Sequence, residues 1–234
     1  MIKKGFIFLM LTGIGSILLK FLLDFSEKIK LPDVASHYIQ NGSAELGAAN
    51  IVTAVVVTYR GLDTLGEVTI LFAAAAVVGL LLSLNKNETA SRRDGSELLK
   101  TASNLLFPLI LLFGVYVFIN GHLTPGGGFQ GGAIIASGVV LTLLASPNMK
   151  IGHTVLSAIE SISGVTYVAL GVLGVVMATG GFLDNRILPL GQYGTLFSAG
   201  LIPIIYSIVG LKVGSELSSV VVTLNGKSID KGAK

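Results

Sequence analysis

The chain has 234 residues, of which 52% are hydrophobic and 12% charged, and its mean hydropathy is +0.80; a soluble domain carries roughly twice that charged fraction, so this is an integral membrane protein. A formal net charge of +3, spread over loops rather than along one face, gives no ground for a nucleic-acid partner. The absence of cysteine excludes disulfides, iron–sulfur clusters and thiol chemistry within this chain.

A helix needs about 20 mostly apolar residues to cross the hydrocarbon layer. In chain order the segments that qualify are Gly5–Leu23, Asp63–Leu84, Leu98–Ile119, Phe129–Ser146, Thr154–Thr179 and Gly194–Val213. The first follows Lys3 and Lys4 and has no small-residue cleavage pattern after it, so it reads as a retained span rather than a signal peptide. A further apolar run, Gly47–Thr58, is too short to cross and is expected as a short helix on, or dipping into, the outer surface. Pro108 and Pro203 are expected to kink the third and sixth spans. The predicted fold is therefore all-α and polytopic, with six transmembrane helices and both termini cytoplasmic. That orientation puts eleven of the 16 Lys and Arg residues, Lys212 among them, inside and five outside, in accord with the positive-inside rule. The chain is expected in the cell (cytoplasmic) membrane.

The polar stretch 85–97, N-K-N-E-T-A-S-R-R-D-G-S-E, divides residues 1–84 from residues 98–224, and a polar tail occupies 225–234. The second part is rich in small residues, including Gly131, Gly132, Ala133, Ala136, Gly138, Gly164, Gly171 and Gly174. In lipid, helices gain no hydrophobic energy from meeting and associate through close packing and polar contacts. Such a surface suits a subunit among other helices of the bilayer.

Ionisable groups within spans are the candidates for function, because a charge at the helix centre costs about 2.5–3.5 kcal/mol on insertion scales. Asp63 and Glu67 stand one turn apart at the start of the second span, and Glu160 lies about two turns into the fifth. Acidic residues at a helix N-terminus are explained equally by the helix dipole. The functional alternative is a carboxylate pair that holds Na+ or passes protons, since two carboxylates in a low dielectric push one pKa up. Glu160 divides in the same way between packing and an ion path. His122 is either a solvated loop histidine or a proton acceptor at the mouth of a path. The three histidines form no metal-ligand pattern, and no nucleophile–base pair or phosphate loop occurs, so no catalytic residue and no metal site are expected.

Between the third and fourth spans lies G-H-L-T-P-G-G-G-F-Q-G-G, Gly121–Gly132. This stretch, with E-S-I-S-G at Glu160–Gly164, G-G-F-L-D-N at Gly180–Asn185 and F-S-A-G-L-I-P-I-I-Y-S-I-V-G-L-K-V-G at Phe197–Gly214, resembles the MnhB/MrpB family, the B subunits of Mrp-type multisubunit Na+/H+ antiporters. The resemblance covers residues 98–224. N-I-V-T-A-V-V-V-T-Y-R-G-L-D-T-L-G-E, Asn50–Glu67, resembles the C-terminal region of the Mrp A subunit and the E-type subunit of archaeal membrane-bound hydrogenase complexes. The chain thus looks like an E-type piece fused to a B-type piece, without the large antiporter portion of a whole A subunit. In the glycine loop Thr124 is expected to cap a helix with Pro125 at its first position. Gly126, Gly127, Gly128, Gly131 and Gly132 are expected to bring backbone close to a neighbour, with Phe129 as packing anchor and Gln130 as polar contact, either at a subunit interface beside a cavity or in packing alone.

The resemblance implies a membrane subunit of an Mrp-type Na+/H+ antiporter module that lines or seals a cation or proton path. An alternative is the same module in an archaeal respiratory complex of hydrogenase or sulfur-reductase type, coupling electron transfer to ion pumping. A second alternative is a structural adaptor between ion-carrying subunits. The implied partners are A-, C- and D-type Mrp membrane subunits, or hydrogenase-like and iron–sulfur subunits of a larger complex, together with the bilayer. No cofactor is expected in the chain itself, and Na+ is the ion expected to be transported.

Overall fold

The computed structural model describes residues 2–24, 31–84, 94–149, 151–178 and 181–229. Its elements are α1 (Ile2–Asp24), α2 (Asp33–Leu46), α3 (Ile51–Ala54) running into a π-helical turn (Val55–Tyr59), α4 (Gly61–Leu84), α5 (Glu97–Ile119), α6 (Gly128–Ala145), α7 (His153–Ala178), a 3-10 turn (Asn185–Ile187) and α8 (Ile202–Ile229). No strand occurs among the described residues. Six helices, α1, α4, α5, α6, α7 and α8, are long and apolar enough to cross a membrane. The chain is a multi-pass membrane protein.

Contacts divide the chain into two compact units, Met1–Ser36 and His37–Lys234. The first holds α1, a largely apolar helix whose Thr12, Ser16 and Lys20 follow one another at four-residue spacing. The second is built around α8, which packs against α4, α5, α6 and α7. More than half of its apolar stretch is buried, against 6% for α4. Tyr167 of α7 and Ile202, Ile205, Val209 and Val213 of α8 form the main core, and Val139, Leu143 and Val222 a smaller one.

Five of the six spans lie within two residues of their expected positions. The sixth does not: Gly194–Leu201 belongs to a loop, and α8 begins at Ile202 and stays apolar enough to cross as far as Asn225. Left-handed backbone at Ala199 (φ 64°) and Gly200 (φ 55°) delays the helix start. Pro203 therefore sits in the first turn, where its missing N–H breaks no bond, and does not kink the helix. Pro108, in contrast, lies well inside α5. Lys212, expected at the inner end of the sixth span, lies well within it.

The run Gly47–Thr58 dips inward rather than lying on a surface. Ala48, Thr53, Ala54 and Val57 are wholly buried, and the run continues through the π-turn into α4. Helix α2 was not expected; its polar sequence D-V-A-S-H-Y-I-Q-N-G-S-A-E-L hides it from a search for spans. The polar stretch 85–97 is described only from residue 94, and the tail only to residue 229.

Candidate functional site

Asn50 joins the E-type and B-type parts. It caps α3 by accepting from the Thr53 N–H at 3.3 Å, while its Nδ2 donates to the carbonyls of Gly121 (2.9 Å) and Thr124 (3.0 Å). Its own N–H donates to the His122 carbonyl, and Thr53 Oγ1 donates to Gly121 O at 2.7 Å. Four hydrogen bonds thus run from Asn50 and Thr53 into Gly121–Thr124, satisfying the carbonyls of buried Gly121 and His122 and of half-buried Thr124.

The remainder of that loop departs from expectation. Thr124 does not cap α6: its Oγ1 donates to Asn120 O at 3.2 Å, and Pro125 precedes the helix by three residues. Gly127 is the N-cap, with no side-chain bond. Gly126 and Gly127 hold φ of +153° and +159°, which glycine alone adopts at little cost, and this break postpones the helix. The close backbone approach expected of the glycines is between helices of this chain. A Cβ at Gly131 would lie 2.6 Å from Gly114 O of α5, and one at Gly132 would lie 2.8 Å from both Gly210 O and Gly214 N of α8. Gly128 is closed in by Val209 at 2.7 Å. Phe129 packs against the main core, while Pro125 and Gln130 stay exposed.

His122 is not solvated; it is fully buried in the same loop. Nε2–H donates to Thr195 O at 3.3 Å, tying the glycine loop to the segment that precedes α8. Burial pushes its pKa below the ordinary 6.5, opposed by the carbonyls of Thr195, Ile119 and Leu196. The ring braces one loop against the other.

Asp63 and Glu67 share one face of α4. Asp63 is half-exposed and pairs with Arg60 at 2.5 Å. Glu67 is exposed one turn deeper, and its charge acts on the buried phenols of Tyr167 and Tyr206. The π-turn just before them sets their direction, and Thr64 Oγ1 donates to the Val56 carbonyl at 2.9 Å; π-turns recur where a helix is re-aimed at a functional site. An exposed carboxylate on an apolar span is costly in lipid and calls for a partner.

Glu160 is half-buried on α7 and lies far along the chain from this pair. Gly164, one turn further along α7, lies against the stem of Lys212 of α8, and Lys212 pairs at 3.3 Å with Glu216, a residue the sequence reading missed; both are buried. Ending the sixth span at Val213 concealed Glu216, and the apolar Val220–Val222 beyond it is the signal that would have extended the span.

A second missed cluster gathers Glu45, Tyr59, Asp184 and Arg186 around a cavity of about 550 Å³. The Tyr59 hydroxyl donates to Glu45, and this bond, with His37 at 3.3 Å, holds the Glu45 carboxyl below its ordinary value. Burial and the same carboxylate push the Tyr59 phenol up. Arg186 donates to both oxygens of Asp184 and keeps that carboxyl low as well. No group of three or more His, Asp or Glu among the described residues could hold a metal ion.

Residues 98–219 match the family described as a domain related to the MnhB subunit of Na+/H+ antiporter, and residues 3–92 match the MbhE family of MBH. An uncharacterized protein of Methanocaldococcus jannaschii is 31% identical, over 77% of this chain and 78% of its own. A chain of the membrane-bound sulfane sulfur reductase, an archaeal respiratory membrane complex, is 43% identical with a TM-score of 0.82, over 96% of this chain and 98% of that one. A chain of the Mrp complex from a Dietzia species is 26% identical with a TM-score of 0.75, over 94% of this chain but a quarter (25%) of that one. With its glycine-packed helices matched over more than half its length, the chain belongs to the family of domains related to the MnhB subunit of Na+/H+ antiporters.

Proposed function

We propose that this protein is a membrane subunit of an Mrp-type ion-translocating module in the cytoplasmic membrane, and that the module belongs to a redox-driven respiratory complex of the sulfane-sulfur-reductase kind. The observation that carries this reading is length. The chain accounts for 98% of the reductase subunit it resembles but only a quarter of the Mrp chain, so the fused E-type and B-type arrangement is shared whole with the former. In this reading the chain holds no electron carrier itself, and cysteine-bearing neighbours supply that chemistry. A-, C- and D-type subunits cover the apolar faces of α4, α5 and α7.

Asp63 and Glu67 are the groups proposed to meet the ion. They lie on the exposed face of α4, where carboxylate oxygens suit Na+ as a hard cation. The anionic face also suits a cationic side chain of a neighbouring subunit, through which protons could be handed on. Purification from the native membrane through a tag on this chain, followed by mass spectrometry, tests the reading. Soluble iron–sulfur or other metal-carrying subunits are expected among the co-purifying proteins. Recovery of antiporter-type membrane subunits alone would return the chain to a stand-alone Na+/H+ antiporter.

A further inference from the structure

The buried group of Lys212, Glu216 and Glu160 is not used by the carboxylates of α4, and its chemistry is different. Lys212 and Glu216 lie one turn apart on α8, at 7% and 1% exposure. Only one carboxylate oxygen of Glu216, Oε2, meets the ammonium, at 3.3 Å. Its other oxygen, Oε1, is buried with no hydrogen-bond partner among the described residues. The lysine stem crosses Gly164 of α7, where an added Cβ would stand 3.9 Å from Lys212 Cε. Its Nζ lies 5.3 Å from the centre of the Phe72 ring of α4. Glu160 is half-buried and one turn from Gly164 on α7, on the face of that helix that meets the Lys212 stem.

Among the described residues, the charged groups acting on Glu216 are therefore Lys212 of α8 and Glu160 of α7; α4 offers an aromatic face. Two carboxylates around one ammonium leave a single uncompensated negative charge in a low dielectric. One proton neutralises it, and two alternative oxygens can hold that proton. A Na+ ion does not fit so well, because it needs several oxygen ligands and would sit beside a fixed ammonium.

We propose that Glu160, Lys212 and Glu216 form a proton relay between α7 and α8. Half-buried Glu160 takes up the proton at the margin of the fold. The O–H bond then breaks at Glu160 and one forms at Glu216 Oε1 by way of an intervening water, which accepts the first proton and donates another, since no hydrogen bond joins the two carboxyls among the described residues; Lys212 remains an ammonium beside Glu216. The inference rests on the reading of the chain as part of an ion-translocating module, but it assigns proton movement to residues separate from Asp63 and Glu67.

The test uses the native complex carrying Glu216→Gln or Glu160→Gln, purified through this chain and returned to vesicles, with proton and sodium movement measured separately. Infrared difference spectra between acid and alkaline pH are taken on the same preparations. Each variant is expected to lose a carboxyl C=O band present in the wild type and to slow proton movement by roughly 100-fold. Wild-type proton movement in either assembled variant overturns the relay, whatever the spectra show. Should Glu216→Gln fail to assemble, Glu160→Gln decides alone, since its half-buried position tolerates an amide. Normal sodium movement in Glu67→Gln together with lost proton movement in Glu216→Gln would remove the α4 path and keep the relay.

Discussion

Each carboxylate's role follows from what surrounds it. Asp63 has Arg60 as a neighbour and solvent or a partner around it, so its ion pair contributes little, about 0–1 kcal/mol. Glu67 has no such ion pair among the described residues and projects from an apolar span. Glu67→Gln is therefore expected to reduce coupled Na+ transport sharply with the complex still assembled, while Asp63→Asn has the smaller effect; ion flux in vesicles checks both. His122 contributes in another way. Its pKa is lowered by burial, so the unfolded chain binds more protons than the folded one below the ordinary value of 6.5. The stability it supports is complete above that pH and falls as pH drops towards the folded value. Thermal unfolding of the purified complex should show this slope in the wild type and a flatter one in His122→Asn. Asp184 behaves likewise further down. Arg186 lowers its pKa below 3.8, so the stability it contributes at the 3-10 turn is present above that pH and lost below it.

At the scale of elements, the glycine motif is a packing device before it is anything else. Membrane helices gain nothing from hiding apolar surface from lipid, so contact depends on how closely backbones approach. Gly131 facing Gly114, and Gly132 facing Gly210 and Gly214, let α6 lie between α5 and α8 with no side chain in the way. Gly132→Ala forces a methyl group against two backbone atoms at 2.8 Å. A loss of about 1–3 kcal/mol is expected, read as a lower unfolding temperature or a lower yield of assembled complex. Gly79, on α4, has open space at its Cβ position, and Gly79→Ala is the neutral control.

Across the second unit as a whole, the E-type and B-type parts act as one body although each resembles a separate family. Asn50 and Thr53 bond to the Gly121–Thr124 loop, Tyr167 of α7 donates to Gly61 O at 3.2 Å, and Asn185 bridges Leu46 O and the Leu201 N–H. These contacts do not depend on the polar connection between the parts. If the gene is cut so that residues 1–90 and 91–234 are made as separate chains, the two are expected to co-purify in mild detergent. Asn50→Ala removes one side-chain cap and two inter-part bonds. With each buried hydrogen bond worth about 1 kcal/mol, that variant should weaken retention of the shorter piece measurably.

Hydropathy and length alone determined the number of spans, the place of five of them and the all-α class, because the bilayer leaves few alternatives for a backbone that must satisfy its own hydrogen bonds. Motif residues such as R-G-L-D-T-L-G-E and P-G-G-G-F-Q-G-G were enough to point to the family. Three things were decided only in the tertiary structure. Helix α2 is polar and shows no span-like period, so only its packed end, through Gly42 and Leu46, reveals its place. The start of α8 was set by left-handed backbone at Ala199 and Gly200, which hydropathy does not register. Lys212, Glu216 and Glu160 became one group because α7 and α8 pack through Gly164, 48 positions away from Lys212 along the chain. A charge tolerated inside a span depends on a partner, and sequence distance carries no information about which partner folding brings near.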